Sequence, residues 1–86
     1  MIEINYTPSF MKAYDKLDKS LKSEVLEKIE MLKDRDKHKS IKVHKLHGKI
    51  KDKHSLYVNY KYRIIFKYLP NKEIALMDVG DHDIYK

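Results

Sequence analysis

Strict alternation dominates the stretch from His54 to Tyr85. Tyr62, Ile64, Phe66 and Tyr68 occupy every second position, with Arg63, Ile65 and Lys67 between them. A period of two is what a strand needs to give its two faces different characters. The residues before this run behave alike: Leu56 and Val58 point one way, Ser55, Tyr57 and Asn59 the other. After it, Leu69-Pro70-Asn71-Lys72 supplies a turn, and a third run follows in which Ala75, Met77 and Val79 alternate with Ile74, Leu76 and Asp78. Three such runs joined by short turns predict an antiparallel meander. A sheet with an apolar face must bury that face against another layer. Arg63 stands in mid-strand, where a charged side chain is rarely buried without a partner. It is therefore assigned to the less covered face.

The covering layer precedes the sheet. Ile2, Ile4 and Tyr6 alternate with Glu3 and Asn5 as a short first strand. Thr7 can cap a helix, and Pro8 suits the first helical position, where its missing N–H costs nothing. Phe10, Ala13, Tyr14 and Leu17 then recur at helical spacing. Around Asp18-Lys19-Ser20 the chain breaks, and either Asp18 or Ser20 is placed to cap a second helix. That helix carries Leu21, Val25, Ile29 and Leu32 as its stripe, with Leu26 and Met31 widening it. The expected order is β-α-α-β-β-β: an α+β fold in which a two-helix hairpin backs a twisted antiparallel sheet. With 86 residues, the chain is expected to be one domain, 1–86, with a compact core.

Charge is distributed unevenly. Lysine and arginine number 19 against 13 acids, a net charge of +6. Between Lys33 and His54 nine basic residues face three acids, so the whole excess lies in that one segment, together with four of the five histidines. Its apolar anchors are Ile41, Val43 and Leu46, which puts most of it at the surface as a loop. Gly48 is placed where the chain turns toward the sheet and suits a positive φ. Concentrated positive charge attracts phosphate backbones or acidic protein segments; the plainer reading is a solvated lysine-rich linker. The absence of cysteine excludes disulfides and thiolate metal sites and fits a reducing, cytoplasmic setting. No apolar run reaches the roughly 20 residues of a membrane span, and no signal peptide is expected. His44 and His47 have the spacing of a metal pair but lack a further ligand, so no metal or other cofactor is expected.

The pieces SLYVNYKYRIIFKY (55–68) and MDVGDHDIYK (77–86) resemble the RelE/ParE superfamily of type II toxins, closest to its RelE/YafQ-like mRNA interferases. Length and element order match too, so the resemblance spans nearly the whole chain. It implies a toxin that cleaves mRNA on the ribosome without a metal, and a cognate antitoxin that wraps the sheet and helices with an acidic or amphipathic segment. Such cleavage uses the ribose 2′-OH as nucleophile. The protein must move protons, stabilise a phosphorane and splay the RNA into line.

On the resemblance, Arg63 binds the scissile phosphate with a bidentate fork. His82 and Tyr85 match a terminal His-x-x-Tyr pattern as acid/base and base-stacking or proton-handling residues. His54 and His47 fall near catalytic histidines of YafQ-like toxins. Lys49, Lys51 and Lys53 line the approach. Many members carry a cation where this chain has Tyr57, so Tyr57 is free to stack on a base, and the lost charge must come from Lys51, Lys53 or Lys61. Structural alternatives stay open: Arg63 paired with Asp78 across the sheet, His82 as a surface histidine, Tyr85 as a core anchor. So do two other functions on this fold, a ParE-like gyrase inhibitor and a catalytically weak RNA-binding relative.

Overall fold

A computed structural model describes residues 1–48 and 52–81. Its elements are β1 (Glu3–Tyr6), α1 (Pro8–Asp15), α2 (Lys19–Leu32), a short 3-10 helix (Arg35–Lys37), β2 (His44–Lys45), β3 (His54–Tyr57), β4 (Arg63–Leu69) and β5 (Glu73–Gly80). The sheet is five-stranded, in the order β1-β5-β4-β3-β2. The meander β3-β4-β5 is antiparallel, as its short connections require. The sheet as a whole is mixed, because β1 lies parallel to β5. The α-hairpin is the reason: it returns the chain across the sheet, so the first strand enters beside the last in the same direction. β2 is an addition to the expected order. His44 and Lys45, within the segment read as loop, pair with Ser55 and His54.

Both helices start where their caps say. The Thr7 hydroxyl accepts the Phe10 N–H at 3.1 Å and donates to the Leu76 carbonyl at 2.7 Å, so one side chain both caps α1 and ties it to β5. Asp18, not Ser20, caps α2, accepting from Leu21 N–H at 2.8 Å. Phe10, Leu21, Val25, Ile29 and Leu32 are buried against Leu56, Val58, Ile64, Phe66, Ile74 and Leu76, which form the helix-facing side of the sheet. Burying a side chain of this size contributes about 1.5–3 kcal/mol. Leu26 departs from the expected stripe. It sits one step round the helix from Val25 and is 45% exposed; Met31 packs at the margin of the core.

β5 corrects the alternation expected for it. Ile65 pairs with Asp78 but Phe66 pairs with Leu76, so Met77 is an extra residue in the ladder. This β-bulge shifts the phase of the strand. Ile74, Leu76 and Val79 therefore face the helices, whereas Asp78 and Gly80 come to lie beside Ile65 and Arg63 on the other face. The β4–β5 connection takes Asn71 and Lys72 through positive φ, at 63° and 59°. Gly48 also has positive φ, 78°, as expected.

Candidate functional site at the open face of the sheet

Arg63 is the first residue of β4 and Tyr57 the last of β3, and the two are direct cross-strand partners. Their side chains therefore share the face turned away from the helices. The guanidinium carbon lies 4.8 Å from the centroid of the Tyr57 ring. Lys42 reaches the same ring, its ammonium 4.7 Å from the centroid. The loop carrying Lys42 is pinned there by a 2.8 Å hydrogen bond from Tyr57 N–H to the Ile41 carbonyl, with Ile41 fully buried beneath. Lys42 takes a φ of 53°, a backbone region that costs a non-glycine residue roughly 1–2 kcal/mol.

One side of the guanidinium is already engaged. Its Nη1 donates to the carbonyls of Asn59 at 2.6 Å and Tyr62 at 2.9 Å. Among the described residues the Nε and Nη2 donors take no partner. The expected alternative, a pair with Asp78, is not formed: Asp78 stands opposite Ile65 and accepts from its neighbour Val79 N–H at 2.8 Å. Among the described residues, the half-buried arginine thus presents a free Nε–Nη2 edge at the start of the central strand.

His54 does not join this cluster. Three positions before Tyr57 on the same strand, it points to the opposite face. There it stacks on Phe66 at 5.7 Å and meets the Tyr68 ring edge-on at 4.6 Å. Its Nδ1 is buried without a hydrogen-bond partner among the described residues. Burial, and then the charges of Lys45 and His44, push its pKa below the usual histidine value. The sheet stands between this imidazole and Arg63, so these two expected site residues are not brought together. Tyr68 is likewise affected, its pKa raised by burial, with Arg35 opposing.

His47 is exposed in the loop after β2, and Lys53 is half-buried just before β3. Lys61 lies exposed in the β3–β4 loop, its ammonium 5.7 Å from the Tyr62 ring. The expected site residues Lys49, Lys51, His82 and Tyr85 lie outside the described residues. Among the described residues no three His, Asp or Glu side chains converge in a way that could hold a metal ion. Two residues of the cluster escaped the sequence reading. Lys42 is one of nine basic residues in that segment, and only its positive φ and its ring contact set it apart. Asn59 reads as one more alternating position with Ser55 and Tyr57, whereas β3 ends at Tyr57 and Asn59 lies in the loop that follows.

The family model for the HigB-like toxins, RelE-like toxins of the type II toxin-antitoxin system HigB, matches residues 7–82. The chain belongs to this family. The RelE-like kinship read from the strand motifs therefore holds. A search of curated protein sequences finds no match for this HigB-like chain. Among solved structures it is similar to YafQ from E. coli strain BL21(DE3), with 19% identity, a TM-score of 0.78, and 99% of this chain and 98% of that one covered. It is also similar to the archaeal RelE-RelB complex from Pyrococcus horikoshii, at 20% identity and TM-score 0.74 with 93% of each chain covered. A third is the YoeB-YefM complex from Staphylococcus aureus, at 16% identity and TM-score 0.73, covering 95% of this chain and 98% of that chain. At these identities the likeness is one of fold: two helices packed on a five-stranded mixed sheet.

Proposed function

We propose that this HigB-like chain is an endoribonuclease that cleaves mRNA on the ribosome and is neutralised by a cognate antitoxin. The observation that carries the reading is the guanidinium of Arg63, stacked on Tyr57 and held at Nη1 by two carbonyls. Its Nε–Nη2 edge has the geometry to take two oxygens of one phosphate. In the proposed reaction the ribose 2′-oxygen attacks the adjacent phosphorus and gives up its proton to a base on the protein. The bond from phosphorus to the 5′ oxygen breaks, and that oxygen receives a proton. The products are a 2′,3′-cyclic phosphate and a 5′-hydroxyl. Arg63 stabilises the extra negative charge of the phosphorane. Lys42 supplies the second cation that the sequence lacks at position 57.

Proton transfer is assigned to His82 and Tyr85. β5, the strand that leads to them, ends at Gly80 opposite Arg63. The antitoxin would have to cover the basic edge made by Lys42, Lys61 and Arg63 with an acidic or amphipathic segment. The proposed setting is the cytoplasm, where mRNA and ribosomes are. No helix among the described residues is long and apolar enough to cross a membrane.

The test is cleavage of mRNA by the purified protein with and without ribosomes, with ends mapped by primer extension. Wild-type protein should leave 5′-hydroxyl ends. Arg63→Ala should lose at least about 10²-fold in rate, the scale of a lost transition-state donor. Full activity in that variant removes Arg63 from the reaction. Inhibition of gyrase supercoiling without RNA cleavage would instead favour a ParE-like function.

A further inference from the structure

Arg63 is oriented by a chain of contacts that begins on the far layer of the molecule. Glu24, on the polar side of α2, accepts a 2.7 Å hydrogen bond from Nδ2 of Asn59 in the β3–β4 loop. The Oδ1 of the same amide accepts the N–H groups of Lys61 and Tyr62, both at 2.9 Å. The loop is closed further by Val58 N–H donating to the Tyr62 carbonyl at 3.1 Å. The carbonyls this arrangement aims inward, those of Asn59 and Tyr62, are the two that hold Nη1 of Arg63.

We infer that Asn59, anchored by Glu24, is a positioning residue that fixes the guanidinium of Arg63 so that its Nε–Nη2 edge faces a phosphodiester. Each part of the amide has one job. Oδ1 gathers the loop N–H groups, and Nδ2 ties the loop to the helix. A bare loop of this length would sample several turns, and each would carry the two carbonyls to a different place. The guanidinium would then follow them or swing free. Since a displacement of about 1 Å can cost on the order of 10²-fold in rate, a fixed loop matters to the reaction even though Asn59 touches no substrate. This inference rests on the phosphate-binding role proposed for Arg63, so its test has one arm that needs no RNA.

That arm is the 15N–1H spectrum of the arginine side chains. Two carbonyls holding Nη1 should slow rotation of the Arg63 guanidinium and give separate Nη1 and Nη2 proton signals in the wild type. In Asn59→Ala these should merge, while the backbone amide spectrum shows the fold intact. Cleavage should fall by about 10- to 100-fold in kcat with KM changed less than threefold. Asn59→Asp keeps the acceptor but sets two carboxylates against each other. It should be partly impaired, and Glu24→Gln added to it should restore the donor and both readouts. Glu24→Ala, on an exposed helix position, gives a milder form of the same defect if Asn59→Ala fails to fold. Unchanged Arg63 signals in Asn59→Ala and Glu24→Ala would overturn the inference. Merged signals in a protein that never cleaves RNA would uphold the positioning role and reject the nuclease.

Discussion

Tyr57 and Arg63 face one another as the last pair of the β3–β4 ladder, with the guanidinium carbon 4.8 Å from the ring centroid. Stacked at that distance, the tyrosine is a platform for the arginine. The Lys42 ammonium at 4.7 Å from the same centroid gives the ring a second cation. The ring thus gathers two cations from neighbouring segments. A cation over an aromatic ring is worth about 0.5 kcal/mol when exposed and roughly 2 when desolvated.

Tyr57→Phe keeps the ring and should retain RNA cleavage within about twofold. Tyr57→Ala removes the platform and should lose roughly 2- to 30-fold, the range that cation–π energy spans. Measuring kcat/KM for both variants separates ring from hydroxyl. A large loss in Tyr57→Phe would mean that the phenol oxygen takes part.

Lys42→Gln should weaken RNA binding and flatten its dependence on salt. A lysine neutralising one phosphate of single-stranded RNA contributes roughly 0.7 to the slope of log affinity against log salt. Fluorescence titrations of a short RNA at several salt concentrations measure this. An unaltered slope would leave Lys42 as a packing partner of Tyr57 only.

The half-buried imidazole of His54 makes stability depend on pH. Its pKa is lowered in the folded protein, chiefly by burial and then by Lys45 and His44. The unfolded chain therefore binds the proton first as pH falls. The contribution is complete above the ordinary histidine value, near 6.5, and is lost as pH drops from there through the folded-state pKa. The melting temperature of the wild type should fall between pH 7.5 and pH 5 more than that of His54→Phe, which fills the gap between Phe66 and Tyr68 without titrating. Parallel curves for the two proteins would contradict this assignment.

Thr7 does two jobs with one hydroxyl, and Thr7→Ala should show both losses. The N-cap alone is worth about 0.5–2 kcal/mol, and the part-buried Leu76 carbonyl would lose its donor. A loss of about 1–2 kcal/mol corresponds to a melting temperature lower by roughly 4–16 °C in a domain of this size. Thr7→Ser, which retains the oxygen, should recover most of it in thermal denaturation followed by circular dichroism.

Local chemistry was legible in the residues. Period-two runs name the meander, Thr7-Pro8 and the Asp18-to-Ser20 break mark the helix starts, and Arg63 goes to the less covered face because a charged side chain in mid-strand is rarely buried without a partner. Leu26 lies beyond the buried stripe, since an apolar residue at the edge of a helical stripe says nothing of how far the sheet extends beneath it. The phase of β5 is hidden in the sequence for a comparable reason. A bulge is set by how two strands meet, and the alternation of Ile74 to Val79 reads the same with or without one.

The two helices, the first strand, the three-strand meander and the face on which Arg63 stands follow from the sequence, because each depends on spacing within a few residues; β2 does not, because its two residues carry no pattern of their own. The parallel docking of β1 on β5, the exclusion of His54 from the arginine's face and the meeting of Glu24, Lys42, Asn59, Tyr57 and Arg63 belong to the tertiary structure. Glu24 and Asn59 are 35 positions apart. No periodicity links two side chains at that separation; only the packing of a helix against a particular end of a particular hairpin brings their polar atoms within reach.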